Sequence, residues 1–460
     1  MLQYLFLGAV LALGQTEAPD AEKRAADPSP APAPVEISAP LLPPPAPPAP
    51  TPPAPPASVP PDRWHLQRIL QGTGPGVFLD TERTAVSGWF ETSYTVSSVP
   101  RNNLPESFNY HSYEPLLQQA WMRINRSVVT TGTTEPTFGF NVDLLFGTDY
   151  RFTLARGIWN KQLTDNKGLP ANYGFDPLQF YGEAYFPTVG RGLDVKVGRF
   201  YTPYGVESLE APSTQFMSHS YTFSNGSPFT HTGILATQVL PYNLVAQAGI
   251  VLGSDIFFDP ADEATFIGTI QYTQPGNRNI VKLTTILDRA RFNPNEGFSG
   301  IEGNPNFNIF DMVWTHNFDS VPRLAYTLEA LYGYMTNIPD FLSSNGVDLI
   351  PIGRADWAGV VNYLSYTFSP RLIGTTRFEV FDDPQGIRTN TFPGSAPDNA
   401  KRLYTALTLG VNYKPIRQPS GNGILMIRPE VRYDYNWDSK PFDNAHHGLF
   451  TVGTDVILRW

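Results

Sequence analysis

From Leu425 to Asp438 the chain alternates without a break. Leu425, Ile427, Pro429, Val431, Tyr433, Tyr435 and Trp437 fall on one face, and Met426, Arg428, Glu430, Arg432, Asp434, Asn436 and Asp438 on the other. Period-two alternation marks an extended strand. One of its faces is apolar or aromatic and the other mostly charged. A strand in a soluble sheet keeps such a pattern for about five or six residues; the fourteen residues here are long enough to cross a tilted bilayer. Residues 450–460 repeat it, with Phe450, Val452, Thr454, Val456, Leu458 and Trp460 set against Thr451, Gly453, Asp455 and Arg459. A barrel in lipid needs an apolar outer stripe, a polar inner stripe and an interfacial aromatic. Phe450, Val456, Leu458 and Trp460 are therefore candidates for a terminal assembly signal. Taken alone, the segment also fits an edge strand of a soluble sandwich.

Composition narrows the choice. Charged residues make up 16% of the 460, against about 25% in an average soluble chain, while aromatics reach 13%. That balance suits a surface facing lipid along one band. No apolar run of about 18 residues occurs, which excludes spanning helices, so only a closed barrel could cross a bilayer with its backbone groups paired. The absence of cysteine removes disulfides, thiolate zinc sites and a cysteine lipid anchor. A net charge of −10 with interspersed signs gives no electrostatic footprint for nucleic acid.

The chain divides into four parts. Residues 1–18 carry an apolar core, Leu5 to Leu13, of secretion-signal length, though without the usual preceding basic residue. Residues 19–62 are rich in proline and alanine; proline makes up roughly half of Pro28 to Pro61, a composition expected to give an extended, disordered periplasmic spacer. It reads either as a tether toward a cell-wall polymer or as an inert linker. Residues 63–83 form a lead-in, with a short helix over Arg63 to Leu70 ended by Gly72-Thr73-Gly74-Pro75-Gly76. Residues 84–460 are the barrel.

Within that last part, alternating runs lie near 84–96, 115–127, 137–150, 178–187, 191–201, 229–240, 243–254, 264–274, 279–290, 307–318, 322–335, 355–368, 370–383, 402–415, 423–438 and 446–460. The expected fold is all-β: a transmembrane antiparallel up-and-down β-barrel of about sixteen strands, within a range of roughly fourteen to eighteen. Loop lengths offer an independent test. Pro187 to Gly190, Pro241-Tyr242, Pro275 to Arg278, Asp319 to Val321 and Ser369-Pro370 are tight turns, while 97–114, 151–177, 202–228, 291–306, 336–354 and 384–401 are long. Such barrels sort their connections this way, with short periplasmic turns and long extracellular loops. Two connections, 128–136 and 416–422, are of intermediate length.

Three segments resemble the OmpL-like outer-membrane β-barrel porins. Gly88-Trp89-Phe90-Glu91-Thr92-Ser93-Tyr94-Thr95 is similar to that family's first strand. Val197-Gly198-Arg199-Phe200 with Tyr204-Gly205-Val206-Glu207, Ser218 to Phe223 and Pro228 to Gly233 resemble its central segment, and Arg377 to Gly386 a late strand and loop. The resemblance covers the chain from about Arg63 onward and implies a porin-like barrel in the outer membrane. It does not explain the spacer.

Strand parity places Arg123, Asp143, Glu183, Asp194, Lys196, Lys282, Asp311, Glu329, Arg377, Glu379, Arg428, Glu430, Arg432 and Asp434 on the inner face. Mixed charges on a wet wall make a polar channel for small hydrophilic solutes; the same charges could instead pair across strands and fill a closed interior. The segment Tyr201 to Ser227, with Glu207, Glu210 and His219, is a candidate to fold inward and constrict the pore, an exposed loop being the alternative. Two functions follow: a passive porin, or a structural or adhesive barrel with a closed pore, tethered by its spacer. No Gly-x-Ser-x-Gly elbow, His-Glu-x-x-His pair or Walker loop occurs, so no enzyme is expected. His446-His447 beside Asp443 reads as a solvated pair rather than a metal site, and no cofactor is implied. The expected partners are the lipid bilayer, the outer-membrane assembly machinery, small solutes and other copies of the chain.

Overall fold

Sixteen antiparallel strands pair edge to edge until the last meets the first. They are β1 Thr84–Ser97, β2 Leu116–Arg126, β3 Thr137–Gly147, β4 Gly174–Phe186, β5 Leu193–Tyr201, β6 Thr230–Leu240, β7 Leu244–Val251, β8 Thr265–Thr273, β9 Asn279–Leu287, β10 Asn308–Asn317, β11 Leu324–Pro339, β12 Pro351–Ser369, β13 Leu372–Asp383, β14 Arg402–Arg417, β15 Gly423–Asn436 and β16 Gly448–Arg459. Each bonds to its neighbours in sequence, and β16 closes on β1, from Trp89 opposite Arg459 to Ser97 opposite Thr451. Trp460 extends the seam: its N–H donates to Gly88 at 2.9 Å and its carbonyl accepts from Gly88 at 3.1 Å. Closure leaves no strand edge unpaired, which is the condition for a sheet to sit in hydrocarbon. This computed structural model describes residues 63–100, 102–163, 171–258, 264–289, 306–339, 351–389, 402–418 and 422–460. The expected secretion signal and spacer lie outside them.

The alternation seen in the sequence is the alternation of the wall. Phe378, Leu407, Tyr433 and Val452 face outward, 43–48% exposed, while their neighbours Arg377, Thr408, Arg432 and Thr451 face inward and are buried. Outward aromatics form two levels. Phe138, Tyr272 and Phe368 stand beside the short turns, and Tyr94, Phe450 and Trp437 beside the long loops, as interfacial girdles do. Every even-to-odd connection is short, including 127–136 and 418–422, so both connections of intermediate length fall on the short-turn side. The tightest connection, between β12 and β13, has two residues, and the three-residue one between β6 and β7 turns on Tyr242 and Asn243, with φ values of 62° and 60°.

The lead-in differs from expectation. Helix α1, His65–Leu70, is followed by α2, Gly74–Thr81, in the stretch read as a helix stop. Thr73 accepts from the Gly76 N–H at 3.2 Å, and Pro75 occupies the first turn, where its missing N–H costs nothing. Both helices pack at the short-turn end of β1. No helix among the described residues is long and apolar enough to cross a membrane; the strands do the crossing. Two further short helices, α3 Tyr150–Thr153 and α4 Tyr221–Gly226, belong to long connections.

Candidate solute pathway

The connection between β5 and β6, residues 202–229, runs across the barrel interior. Glu210 pairs with Arg123 on β2, whereas Glu207 reaches Tyr363 on β12 at 2.7 Å and Arg377 on β13 at 2.9 Å. A segment inside the barrel must find partners for backbone groups that water would otherwise serve. Wall carboxylates accept its N–H groups: Asp311 from Gly205 at 3.3 Å, Glu329 from Val206 at 3.1 Å, Glu430 from Met217 at 2.8 Å and Ser218 at 3.2 Å, and Glu379 from Tyr221 at 2.7 Å. Wall cations donate to its carbonyls: Arg428 to Ala211 at 2.7 Å, Arg377 to Ser218 at 2.7 Å, Lys282 to Gly205 at 2.9 Å, and Arg432 to His219. Carboxylates only accept and guanidiniums only donate, so the two signs divide the two kinds of backbone group between them.

Around this clasp the charges pair with one another. Arg428 meets Glu91 at 3.1 Å and Asp455 more closely. Arg432 meets Asp434 at 2.6 Å, Glu379 at 3.4 Å and Glu106 at 3.7 Å. Arg123 meets Asp143 at 2.6 Å. Arg377, Arg428 and Arg432 are each 1% exposed. Arg432 with Glu379 is an acid–base pair between wall strands, whereas Glu329 and Glu430 hold backbone N–H groups. Glu183 and Lys196, 3.5 Å apart, lie with Asp194 toward the short-turn end, away from the segment.

Glu207 is the most heavily bonded group in the segment. Its carboxylate also accepts from the Ser220 N–H at 3.1 Å and lies 2.7 Å from His219 Nδ1. Burial pushes its carboxyl up, but the Arg377 charge and the His219 and Tyr363 bonds outweigh burial and hold it at about 2. A depressed value of this kind contributes stability that is complete above the ordinary 4.5 and is lost as pH falls through about 2. Open-channel noise is therefore expected to stay flat from about pH 7 to about pH 4. A rise in noise centred near the ordinary carboxylate value would show that Glu207 does not fasten the segment.

A second long connection, 98–115, also turns inward. Phe108 packs 4.6 Å from the His219 ring, 4.5 Å from Phe152 and 5.8 Å from Phe229, while burial raises the Glu106 carboxyl to about 8 against the pull of Arg432. The charge-based reading missed both this connection and the uncharged part of the inner wall. Thr237 accepts from Gln247 at 3.1 Å, Thr269 and Thr284 lie 3.2 Å apart, Thr315 and Thr327 3.1 Å, and Ser365 and Thr375 3.0 Å. The same alternation placed these residues inward, but they carry no charge to draw attention. Two cavities lie between the segment and this neutral wall: one of about 370 Å³ against β7–β9 and one of about 290 Å³ against β11–β13, with Glu207 lining both.

The family model "Putative beta-barrel porin-2, OmpL-like" matches residues 83–459. The chain belongs to this family. As an OmpL-like porin it is an outer-membrane channel for small solutes. Among solved structures, an anion-selective porin from Comamonas acidovorans shares the fold with a TM-score of 0.52 at 10% identity, over 82% of this chain and 99% of that one. The outer-membrane channel DcaP of Acinetobacter baumannii does so with a TM-score of 0.50 at 10% identity, over 82% and 97%. No curated protein sequence matches this OmpL-like porin.

Proposed function

We propose that small hydrophilic solutes diffuse passively through the space left between the inward segment and the uncharged residues of β7–β8 and β11–β12, without a cofactor and without catalysis. The observation that carries this reading is the pair of cavities that the clasp leaves open. The segment is fastened to strands on both sides of the barrel, yet beside it one cavity opens against Gln247 and Gln271 and the other against Thr327, Ser365 and Thr367. Lys282, Glu207 and Arg377 are then the charges nearest the path. Glu379, Arg428, Glu430, Arg432 and Asp434 frame it from beneath the segment, and Arg123, Asp143, Glu183, Asp194 and Lys196 line its periplasmic approach. Glu210 and His219 act as fasteners of the constriction.

The rest of the chain serves delivery and anchoring. Residues 1–18 direct export, the proline-rich spacer crosses the periplasm, and Phe450, Val456, Leu458 and Trp460 mark the last strand for assembly. The outward face accommodates a homo-oligomer.

A second reading, a closed structural barrel, is favoured by one observation. Phe108, Phe152, Phe223 and Phe229 fill the interior between the two inward connections, and apolar packing of that kind excludes water. Single-channel recording of the refolded full-length protein in a planar bilayer decides between them. Stable conductance steps are expected; a folded protein that inserts and stays silent would leave the closed barrel as the function.

A further inference from the structure

The larger cavity is lined by aromatic rings together with hydrogen-bonding side chains. Tyr201, Tyr204, Phe223 and Phe229 supply the rings; Gln247 and Gln271, projecting from β7 and β8, supply amides. Among the described residues its only lining carboxylate and only lining ammonium are Glu207 and Lys282, and both are engaged. Glu207 is held by Arg377, His219 and Tyr363, and Lys282 donates to the Gly205 carbonyl at 2.9 Å on the strand next to Asp311. The cavity thus offers a passing ion no uncompensated charge.

It does offer unspent hydrogen bonds. The Gln247 amide donates to Thr237 at 3.1 Å and that of Gln271 to Thr273 at only 3.4 Å, whereas each amide has two donors and an acceptor to offer. Aromatic faces are electron-rich and receive C–H edges. Amides and hydroxyls at the rim receive O–H groups in pairs.

From this combination we infer that the cavity is a binding station for a neutral, ring-shaped, polyhydroxylated solute, of the sugar class. The C–H face of the ring lies on the aromatics, and its hydroxyls meet Gln247 and Gln271. An anion of the same size meets Glu207 and a cation meets Lys282, so neither gains what the neutral ring gains. The inference rests on the channel reading above and adds the solute class to it.

The test uses the full-length protein in a planar bilayer carrying a potassium chloride current. Glucose or maltose added to one side is expected to block the current saturably, at least about tenfold more tightly than gluconate or glucosamine. Gln247→Ala with Gln271→Ala is expected to weaken that block by about tenfold or more. Should the double variant not fold, Gln271→Met removes a single amide at nearly constant volume and must weaken the block in the same direction. Block by glucose no stronger than by an uncharged polymer of equal size, or block that follows solute charge, overturns the station while leaving the channel intact. A bilayer silent in the absence of sugar overturns the channel reading and the station with it.

Discussion

Replacing Arg428 with methionine is expected to lower the stability of the folded barrel by about 3–5 kcal/mol. Methionine retains much of the apolar stem and loses only the guanidinium, so the loss is one of pairing rather than of volume. The guanidinium joins β15 to β16 through Asp455, to β1 through Glu91 at 3.1 Å, and to the inward segment through the Ala211 carbonyl at 2.7 Å and the Thr214 carbonyl at 3.1 Å. Removing it strands Glu91 and Asp455, which are 3% and 0% exposed, and a buried charge left without its partner is worse than a pair never built. The urea midpoint of the lipid-refolded barrel, followed by tryptophan fluorescence, reads the change. Adding Glu91→Gln and Asp455→Asn to the variant is expected to restore more than half of it, because the stranded charges are then gone. An unchanged midpoint for Arg428→Met would mean that water already solvates these groups and that the clasp is not structural.

The barrel itself was legible because a lipid-facing wall imposes a period of two on every strand, and all sixteen alternating runs overlap strands of the structure. Boundaries failed where alternation is locally broken. β4 begins at Gly174 rather than near residue 178, because Asp176-Pro177 lies beside a register shift at Asp143 to Leu145. Asp176 has also turned to meet Arg199 at 2.8 Å with both side chains fully buried. What parity cannot encode is the occupant of the interior. Arg428 and Arg432 read as wall charges facing water, and they do face inward. Yet the groups that cover them, Ala211 and His219, sit more than 200 residues earlier in the chain. The run Tyr201 to Ser227 could be picked out by its length and its acids, but a choice between inside and outside depends on whether partners await each backbone group, and those partners are spread over β2, β9, β10, β11, β13 and β15. Gln247 and Gln271 were hidden for the opposite reason: they belong to the inner face, but neutral residues there look like ordinary filling.

Excising residues 204–226 and bridging the gap with a short glycine–serine linker is expected to raise single-channel conductance several-fold and to shift the channel toward cations. The segment and the side chains packed on it occupy the interior, so its removal widens the path on the charged side. Strand pairing does not depend on it, since every strand keeps both neighbours. The clasp charges are not stranded in this variant, because water enters with the loss of the segment and hydrated pairs cost little. That distinguishes the excision from Arg428→Met, which removes one charge while the interior stays dry. Four cations, Lys282, Arg377, Arg428 and Arg432, then share the wetted wall with seven carboxylates, Glu91, Asp311, Glu329, Glu379, Glu430, Asp434 and Asp455. A wall with that excess of acid concentrates cations along it, and the reversal potential in a potassium chloride gradient measures the shift. Unchanged conductance would place the narrowest point elsewhere, at the 98–115 connection or the periplasmic mouth. Higher conductance with a shift toward anions would mean that the guanidiniums rather than the carboxylates set the field along the widened path.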